Sequence, residues 1–173
     1  MEQKKSGFVA VVGKPNVGKS SLINAMVGMK VSITGPKAQT TRNKILGIKS
    51  GSDYQIVFVD TPGALKPTNK LGEYMKKSID SAIDGIDMLL IVLDGAKITD
   101  ADFSLIEKYQ NLDVPVFVVI NKTDIASYEK VYPSLEKLND YKFISEFVSK
   151  NCEESKISGA STNAQDLSFS CFL

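Results

Sequence analysis

The sequence predicts a three-layer α/β fold, in which helices cover both faces of a mostly parallel sheet of about six strands. Short apolar runs alternate along the chain with amphipathic stretches of helical period. Runs that are apolar at consecutive positions, such as Leu89–Leu93, are typical of strands buried on both faces. The short link Ser50–Asp53 contains a glycine and joins two runs, which favours one antiparallel strand at an edge of the sheet.

The elements follow from these patterns in chain order. We predict strands at Phe8–Val12, Lys44–Lys49, Tyr54–Val59, Met88–Leu93 and Val114–Ile120, with a last candidate at Glu146–Ser149. Helices are predicted at Lys19–Val27, Leu71–Ile83, Thr99–Gln110 and Ser127–Asn139. We therefore expect one domain over residues 1–149 and an atypical tail over residues 150–173. The tail is rich in Ser and Asn, and only the alternation of Leu167, Phe169, Cys171 and Leu173 indicates a strand within it.

Composition excludes several classes of function. The net charge of +1 gives the whole chain no strong attraction to nucleic acid or membrane. No apolar run reaches the roughly 20 residues of a membrane span, and the N-terminus lacks a signal-peptide apolar region, so we expect a cytoplasmic protein. Histidine is absent, which removes Ser–His and Cys–His nucleophiles and His-based zinc sites. Cys152 and Cys171 could pair, but reduced thiols are the expectation in that compartment.

A phosphate-binding loop follows the first predicted strand. Residues Gly13–Ser20 fit the pattern G-x-x-x-x-G-K-[ST] and stand between a strand and a helix, as that motif requires. Main-chain N–H groups and the helix N-terminus would bind the phosphates. Lys19 would reach the β and γ phosphates and the Ser20 hydroxyl would bind Mg²⁺. A glycine- and proline-containing turn after a buried strand is the alternative.

A second motif, Asp60-Thr61-Pro62-Gly63, follows the strand Tyr54–Val59. An Asp at the end of such a strand can hold Mg²⁺, usually through water, and Gly63 can bring its N–H to the γ-phosphate. Alone this pattern is more often a capped turn than a site. Its place after a strand and downstream of the phosphate loop favours the site, because ligands bind at the carboxyl ends of parallel strands.

A third motif, Asn121-Lys122-Thr123-Asp124, follows the strand Val114–Ile120 and is typical of guanine recognition. The Asp124 carboxylate would accept hydrogen bonds from N1–H and the 2-amino group of guanine, which adenine does not offer. Asn121 can bridge the base and the protein loops, and the Lys122 stem can cover the nucleotide. A solvated polar turn is the alternative. Together Asn121 and Asp124 disfavour an ATP-dependent phosphoryl transferase.

Two segments have the composition of mobile loops. Residues 31–42 are polar and contain Thr40 and Thr41, either of which could bind Mg²⁺ only when the γ-phosphate is present. Residues 61–70 contain helix- and strand-breaking residues and form the second segment. We expect the two segments to switch conformation with the nucleotide.

With Gln39-Thr40-Thr41-Arg42, these motifs resemble those of the bacterial Era GTPases, in the TrmE–Era superfamily, over roughly residues 6–148. The resemblance implies a Ras-like P-loop fold, hydrolysis of GTP with Mg²⁺, and a role in 16S rRNA processing and assembly of the 30S ribosomal subunit. It also implies RNA binding through a KH domain, and it allows peripheral association with the inner membrane face.

The resemblance also assigns residues. It favours Thr41 over Thr40 as the switch threonine, and it assigns K⁺ binding in some members to an Asn at the position of Asn16. Ala64 stands where many GTPases have a glutamine that positions water. The predicted catalytic residues are Asn16, Lys19, Thr41 and Gly63, and the metal ligands are Ser20, Thr41 and Asp60. The predicted nucleotide contacts are Asn16, Val17, Gly18, Lys19, Ser20, Ser21, Asp60, Gly63, Asn121, Lys122 and Asp124.

Two departures from the family pattern affect these expectations. The sequence ends at Leu173 and has no G-x-x-G loop after residue 124, so we expect no KH domain. The Ser-Ala loop that closes the base pocket in the family has two imperfect counterparts, Ser149-Lys150 and Ser158–Ser161. Beside the GTP hydrolase, a guanine-nucleotide-responsive binding module with negligible hydrolysis therefore stays open.

Overall fold

Residues 5–32, 35, 41, 43–64, 70–126, 128–142 and 144–149 are described by the computed structural model, and within them six strands form one sheet. The strands are β1 (Lys5–Val12), β2 (Ile45–Ser50), β3 (Tyr54–Asp60), β4 (Met88–Asp94), β5 (Val116–Asn121) and β6 (Ile144–Ser149). The helices of the same residues are α1 (Lys19–Val27), α2 (Lys70–Ile83), α3 (Asp100–Glu107) and α4 (Tyr128–Asn139).

The strands lie in the spatial order β2-β3-β1-β4-β5-β6. Strand β2 is antiparallel to β3 at one edge, and every other neighbouring pair is parallel. The predicted fold class, a mostly parallel sheet with an antiparallel edge strand, is therefore confirmed. Because β1, β3, β4, β5 and β6 run in one direction, the loops that follow them all leave the same edge of the sheet.

Some helices and strands begin or end at other residues than predicted, because main-chain hydrogen bonding sets their ends. Strand β1 begins at Lys5, because Lys5 pairs with Tyr54 of β3 before the apolar run starts. Helix α3 ends at Glu107, since the main chain after it turns tightly, with the N–H of Tyr109 donating to the carbonyl of Ile106. Strand β5 begins at Val116, after a proline that has no N–H for the ladder.

The core has two parts because side chains alternate between the faces of each strand. Val9 and Val11 of β1 pack with Val17, Ile23 and Val27 on the face covered by α1. The intervening residues of β1 face the other three helices. That larger cluster includes Ala10, Val12, Ile79, Leu89, Ile91, Phe103, Ile106, Val118, Ile120, Val131, Leu135 and Leu138. The predicted placement of helices on both faces is thus confirmed for the described residues.

Among the described residues, no helix combines the length and apolar character needed to cross a membrane. Several predictions fall outside the residues that the structure describes. These are Thr40 as the alternative switch residue, residues 65–69 of the second switching segment, the Ser158–Ser161 closing loop and the tail over 150–173.

Candidate nucleotide-binding site

The loop Gly13–Ser20 joins β1 to α1 at the edge of the sheet where the parallel strands end. Gly18 caps α1 with a φ of 100°, and a Cβ there would lie 2.2 Å from Nδ2 of Asn121. Only glycine fits this position, since the conformation is left-handed and the space is filled. The Val17 side chain is buried in the core, so a ligand can contact that residue only through its main chain, whereas Ser21 is exposed.

The side chain of Lys19 crosses the phosphate loop and bonds to main-chain carbonyls at the start of that loop. Its Nζ donates to the carbonyl oxygens of Gly13, at 3.0 Å, and Lys14, at 2.9 Å. Burial lowers the pKa of Lys19 to about 8, because the ammonium has lost much of its water, while the charge of Asp60 acts in the opposite direction. An anion in the loop would therefore be the natural partner of this ammonium.

Ser20, Thr41 and Asp60 meet beside the loop. The Ser20 hydroxyl donates to Oδ2 of Asp60 at 2.6 Å, and Oγ1 of Thr41 lies 3.4 Å from the same oxygen and 3.2 Å from Oγ of Ser20. Asp60 is fully buried, and its Oδ1 has no hydrogen-bond partner among the described residues. Two hydroxyls and a carboxylate with a spare oxygen are the donor set that Mg²⁺ prefers, so these three residues fit a bound magnesium ion.

The segment after β3 is fastened to the phosphate loop. A Cβ on Gly63 would lie 2.7 Å from the main-chain nitrogen of Pro15, so glycine is required for this close packing. The N–H of Ala64 donates to the carbonyl of Gly13 at 2.9 Å. The buried Thr61 hydroxyl donates to the carbonyl of Val11 at 2.7 Å. Gly63 is thus placed directly over the loop that would hold the phosphates.

The loop after β5 is tied to the phosphate loop by two side chains. Nδ2 of Asn121 donates to the carbonyl of Val17 at 2.9 Å, and Nζ of Lys122 donates to the carbonyl of Asn16 at 2.6 Å. Lys122 also pairs with Oδ2 of Asp94 at 2.7 Å. The structure therefore joins the two predicted binding motifs, which lie about a hundred residues apart in the sequence, into one site.

Asp124 is exposed beyond this junction, so its carboxylate is available to a ligand. The predicted last strand is present as β6, whose residue Ser149 pairs with Ile120 of β5. Strand β6 therefore ends beside the end of β5, from which the loop that carries Asp124 begins. Lys150 and the residues after it lie outside the described part of the chain.

Two contributors to this geometry were missing from the predicted site. Asp94 ends β4 and holds Lys122, and the rule that places ligands at the ends of parallel strands could have identified it. Thr61 anchors the segment before Gly63 through a buried hydroxyl. Its position inside a turn motif carries no sequence signal for that role.

A model of the family described as 50S ribosome-binding GTPase matches residues 8–122. The match begins within β1 and extends to Lys122, so it includes the phosphate loop, the loop after β3 and the start of the loop after β5.

Two solved Era structures resemble this chain at 40% sequence identity. One is an Era variant from Aquifex aeolicus bound to GDP and AlF4⁻, with a TM-score of 0.73, covering 84% of this chain and 50% of that one. The other is Era with MgGDPNP and nucleotides 1506–1542 of 16S ribosomal RNA, with a TM-score of 0.71, covering 85% and 51%. This chain therefore spans about half the length of these relatives. They confirm the resemblance to Era that the motifs predict.

A more distant likeness concerns the fold alone. The G domain of the FeoB iron transporter of T. maritima is 23% identical, with a TM-score of 0.58, and 83% of this chain covers 87% of it.

Proposed function

The chain belongs to the family of 50S ribosome-binding GTPases, and on that premise we propose that it binds GTP with Mg²⁺ and hydrolyses it to GDP and phosphate. The observation that carries the proposal is the junction of the phosphate loop with the loop Asn121–Asp124. A phosphate loop alone would serve any nucleotide, whereas this junction fastens to it the loop that carries the exposed carboxylate of Asp124.

Binding follows from the two parts of the site. The main-chain N–H groups of residues 16–21 and the ammonium of Lys19 bind the phosphates. The Asp124 carboxylate accepts from guanine, and an adenine in its place would leave that carboxylate without its partners. Asn121 and Lys122 position the carboxylate by fastening its loop to residues 16–17.

Ser20 and Asp60 would hold Mg²⁺, with Thr41 as the third ligand. When bound, the ion would supply positive charge that offsets the negative charge of the phosphates. The Thr41 hydroxyl lies against Asp60 and Ser20 in the structure, and residues 36–40 before it lie outside the described part. Because Thr41 belongs to a predicted switching segment, its contact with the ion is the proposed link between nucleotide state and loop conformation.

Catalysis in this proposal is electrostatic. Lys19, the N–H groups of the phosphate loop and the N–H of Gly63 stabilise charge that develops on the β–γ oxygens during transfer. Ala64 offers no side-chain group to orient water, so we expect slow turnover without a partner. A monovalent cation held partly by Asn16 would add the missing charge. Single-turnover rates in K⁺ and Na⁺ buffers test that role, and equal rates would refute it.

Release of phosphate from GTP tests the hydrolase directly. We expect the wild-type chain to release phosphate only when Mg²⁺ is present. We expect Ser20→Ala to lose this Mg²⁺-dependent release, because the hydroxyl that fits the ion is removed. Lys76→Met, which changes an exposed lysine on α2, serves as the control and should keep the wild-type rate. Absence of release from wild-type protein that binds GTP would contradict the proposal.

Ala64 favours one alternative function. A guanine-nucleotide-responsive binding module would use the same pocket but act through a partner on residues 29–43 and 61–75, without appreciable hydrolysis. Tight GTP binding without phosphate release, with and without added small ribosomal subunits, would establish the module in place of the hydrolase.

The biological setting is a separate proposal. One Era relative is solved with a 16S rRNA fragment, and we place this chain in 16S rRNA processing and assembly of the 30S subunit on that basis. The chain spans about half of that relative, so RNA binding by this chain needs its own measurement. A cytoplasmic location is part of the same proposal.

A further inference from the structure

The carboxylate of Asp102 at the start of α3 is fully buried and pairs with a lysine of the phosphate loop. Nζ of Lys14 lies 2.6 Å from Oδ2 of Asp102, and the side chain of Lys14 is 21% exposed. The other oxygen, Oδ1, is buried without a hydrogen-bond partner among the described residues. Lys14 therefore supplies the charge that compensates a buried carboxylate.

Asp102 is itself held rigidly. Its Oδ2 accepts from the main-chain N–H of Thr99, at 2.8 Å, and from the Thr99 hydroxyl, at 3.0 Å. Lys14 Nζ also donates to that hydroxyl at 3.0 Å. Helix α3 is anchored in the core by Phe103 and Ile106. The carboxylate thus belongs to a helix anchored in the core, and its partner belongs to the phosphate loop.

The main chain of Lys14 contacts residues of the proposed phosphate site. Its carbonyl oxygen accepts from Nζ of Lys19 at 2.9 Å. The next residue, Pro15, supplies the main-chain surface on which Gly63 packs. The side chain of Lys14 therefore faces α3, while its peptide carbonyl faces the phosphate-binding lysine.

We propose that Asp102 is a positioning residue of the phosphate site, which acts through Lys14 to fix the conformation of residues 14–15. Helix capping alone would need only the N–H of Thr99. The additional contact of Asp102 with Lys14 ties α3 to the phosphate loop. It thereby positions the carbonyl of Lys14, which accepts from Lys19, and the adjoining surface on which Gly63 packs. The inference rests on the proposed binding of guanine nucleotide.

The test is a double-mutant cycle on the affinity for labelled GDP, with Asp102→Asn, Lys14→Met and the variant that carries both. We expect each single change to weaken GDP binding about tenfold. The double variant should bind no more weakly than the worse single variant, because both changes remove the same contact between Lys14 and Asp102. The matched control is Asp100→Asn, in the same helical turn, whose carboxylate is exposed and lies 3.8 Å from Nζ of Lys137. That control should bind like the wild type.

Rescue separates positioning from stability. Lys14→Arg restores the cation and should recover most of the affinity that Lys14→Met loses, even if Asp102→Asn folds too poorly to be measured. Additive losses in the cycle, or GDP affinity equal to that of the wild type in Lys14→Met, would overturn the inference. If wild-type protein itself failed to bind GDP, the proposed function would fail instead, which distinguishes the two results.

Discussion

Nζ of Lys122 lies 2.6 Å from the carbonyl oxygen of Asn16, so the loop after β5 is joined directly to the loop after β1. The same nitrogen pairs with Asp94 at the end of β4. One lysine therefore links the loops of three adjacent parallel strands. Together with the contact of Asn121 to Val17, this link sets the relative position of the proposed phosphate and base parts of the site.

Removing the Lys122 ammonium should weaken guanine nucleotide binding. We predict that Lys122→Met lowers the affinity for GDP by roughly tenfold or more, because two charge-assisted hydrogen bonds are lost and Asp94 is left without its cation. Fluorescence titration with labelled GDP measures the change. Lys76→Met removes an exposed lysine of α2 and should leave the affinity as it is. Equal affinity of Lys122→Met and the wild type would show that the link is not needed.

The Asp124 carboxylate should decide which base is accepted. Asp124→Asn exchanges an acceptor for a donor, so we predict a loss of GDP affinity of about a hundredfold and a gain for xanthosine diphosphate, whose 2-oxo group accepts. A competition titration with both nucleotides measures the ratio. Asp100→Asn is the matched control because its carboxylate is likewise exposed. Unchanged preference for guanine would remove Asp124 from the base site.

The strand–helix order and the three binding motifs could be predicted because each depends on local pattern. Leu89–Leu93 is apolar throughout and proved to be part of central β4, and α1 has the predicted bounds Lys19–Val27. The pairing of Asp94 with Lys122 could not be derived from such patterns. It depends on which strands become neighbours in the sheet, and a contact between distant residues leaves no trace in either local sequence.

The close packing of Gly63 on Pro15 should be essential for hydrolysis and not for GDP binding. Gly63→Ala would place a Cβ 2.7 Å from the nitrogen of Pro15, which forces the segment after β3 away from the loop. We predict that phosphate release falls at least about tenfold, because the N–H of residue 63 no longer reaches developing charge. GDP affinity should stay within about twofold of wild type, since the γ-phosphate is absent.

Gly7→Ala is the control for that change. A Cβ at Gly7 would have only ordinary contacts, the nearest at 3.4 Å to Asp87. This variant should hydrolyse GTP like the wild type. Normal phosphate release by Gly63→Ala would contradict the role assigned to that packing.

Binding should take up a proton near pH 8. The pKa of Lys19 is lowered to about 8 in the free site by burial, and a bound diphosphate raises it by favouring the ammonium. At pH 8 the Lys19 side chain of the free protein is then partly deprotonated, so GDP binding takes up about half a proton. The affinity for GDP falls as the pH rises through that value. Calorimetric titration in two buffers of different ionisation heat measures the uptake.

Ser20→Ala is the control for the proton uptake, because it changes the proposed metal ligand and keeps Lys19. Its GDP binding in the absence of Mg²⁺ should show the same dependence on buffer. Identical binding heats in the two buffers for the wild-type chain would exclude Lys19 as the proton acceptor.

Competition against labelled GDP tests the central claim, that one site reads both a diphosphate and a guanine base. We predict that unlabelled GDP displaces the label at concentrations at least about a hundredfold lower than ADP or pyrophosphate, since only guanine completes the contacts of Asp124. Displacement by ADP or pyrophosphate at the same concentration as GDP would contradict the account.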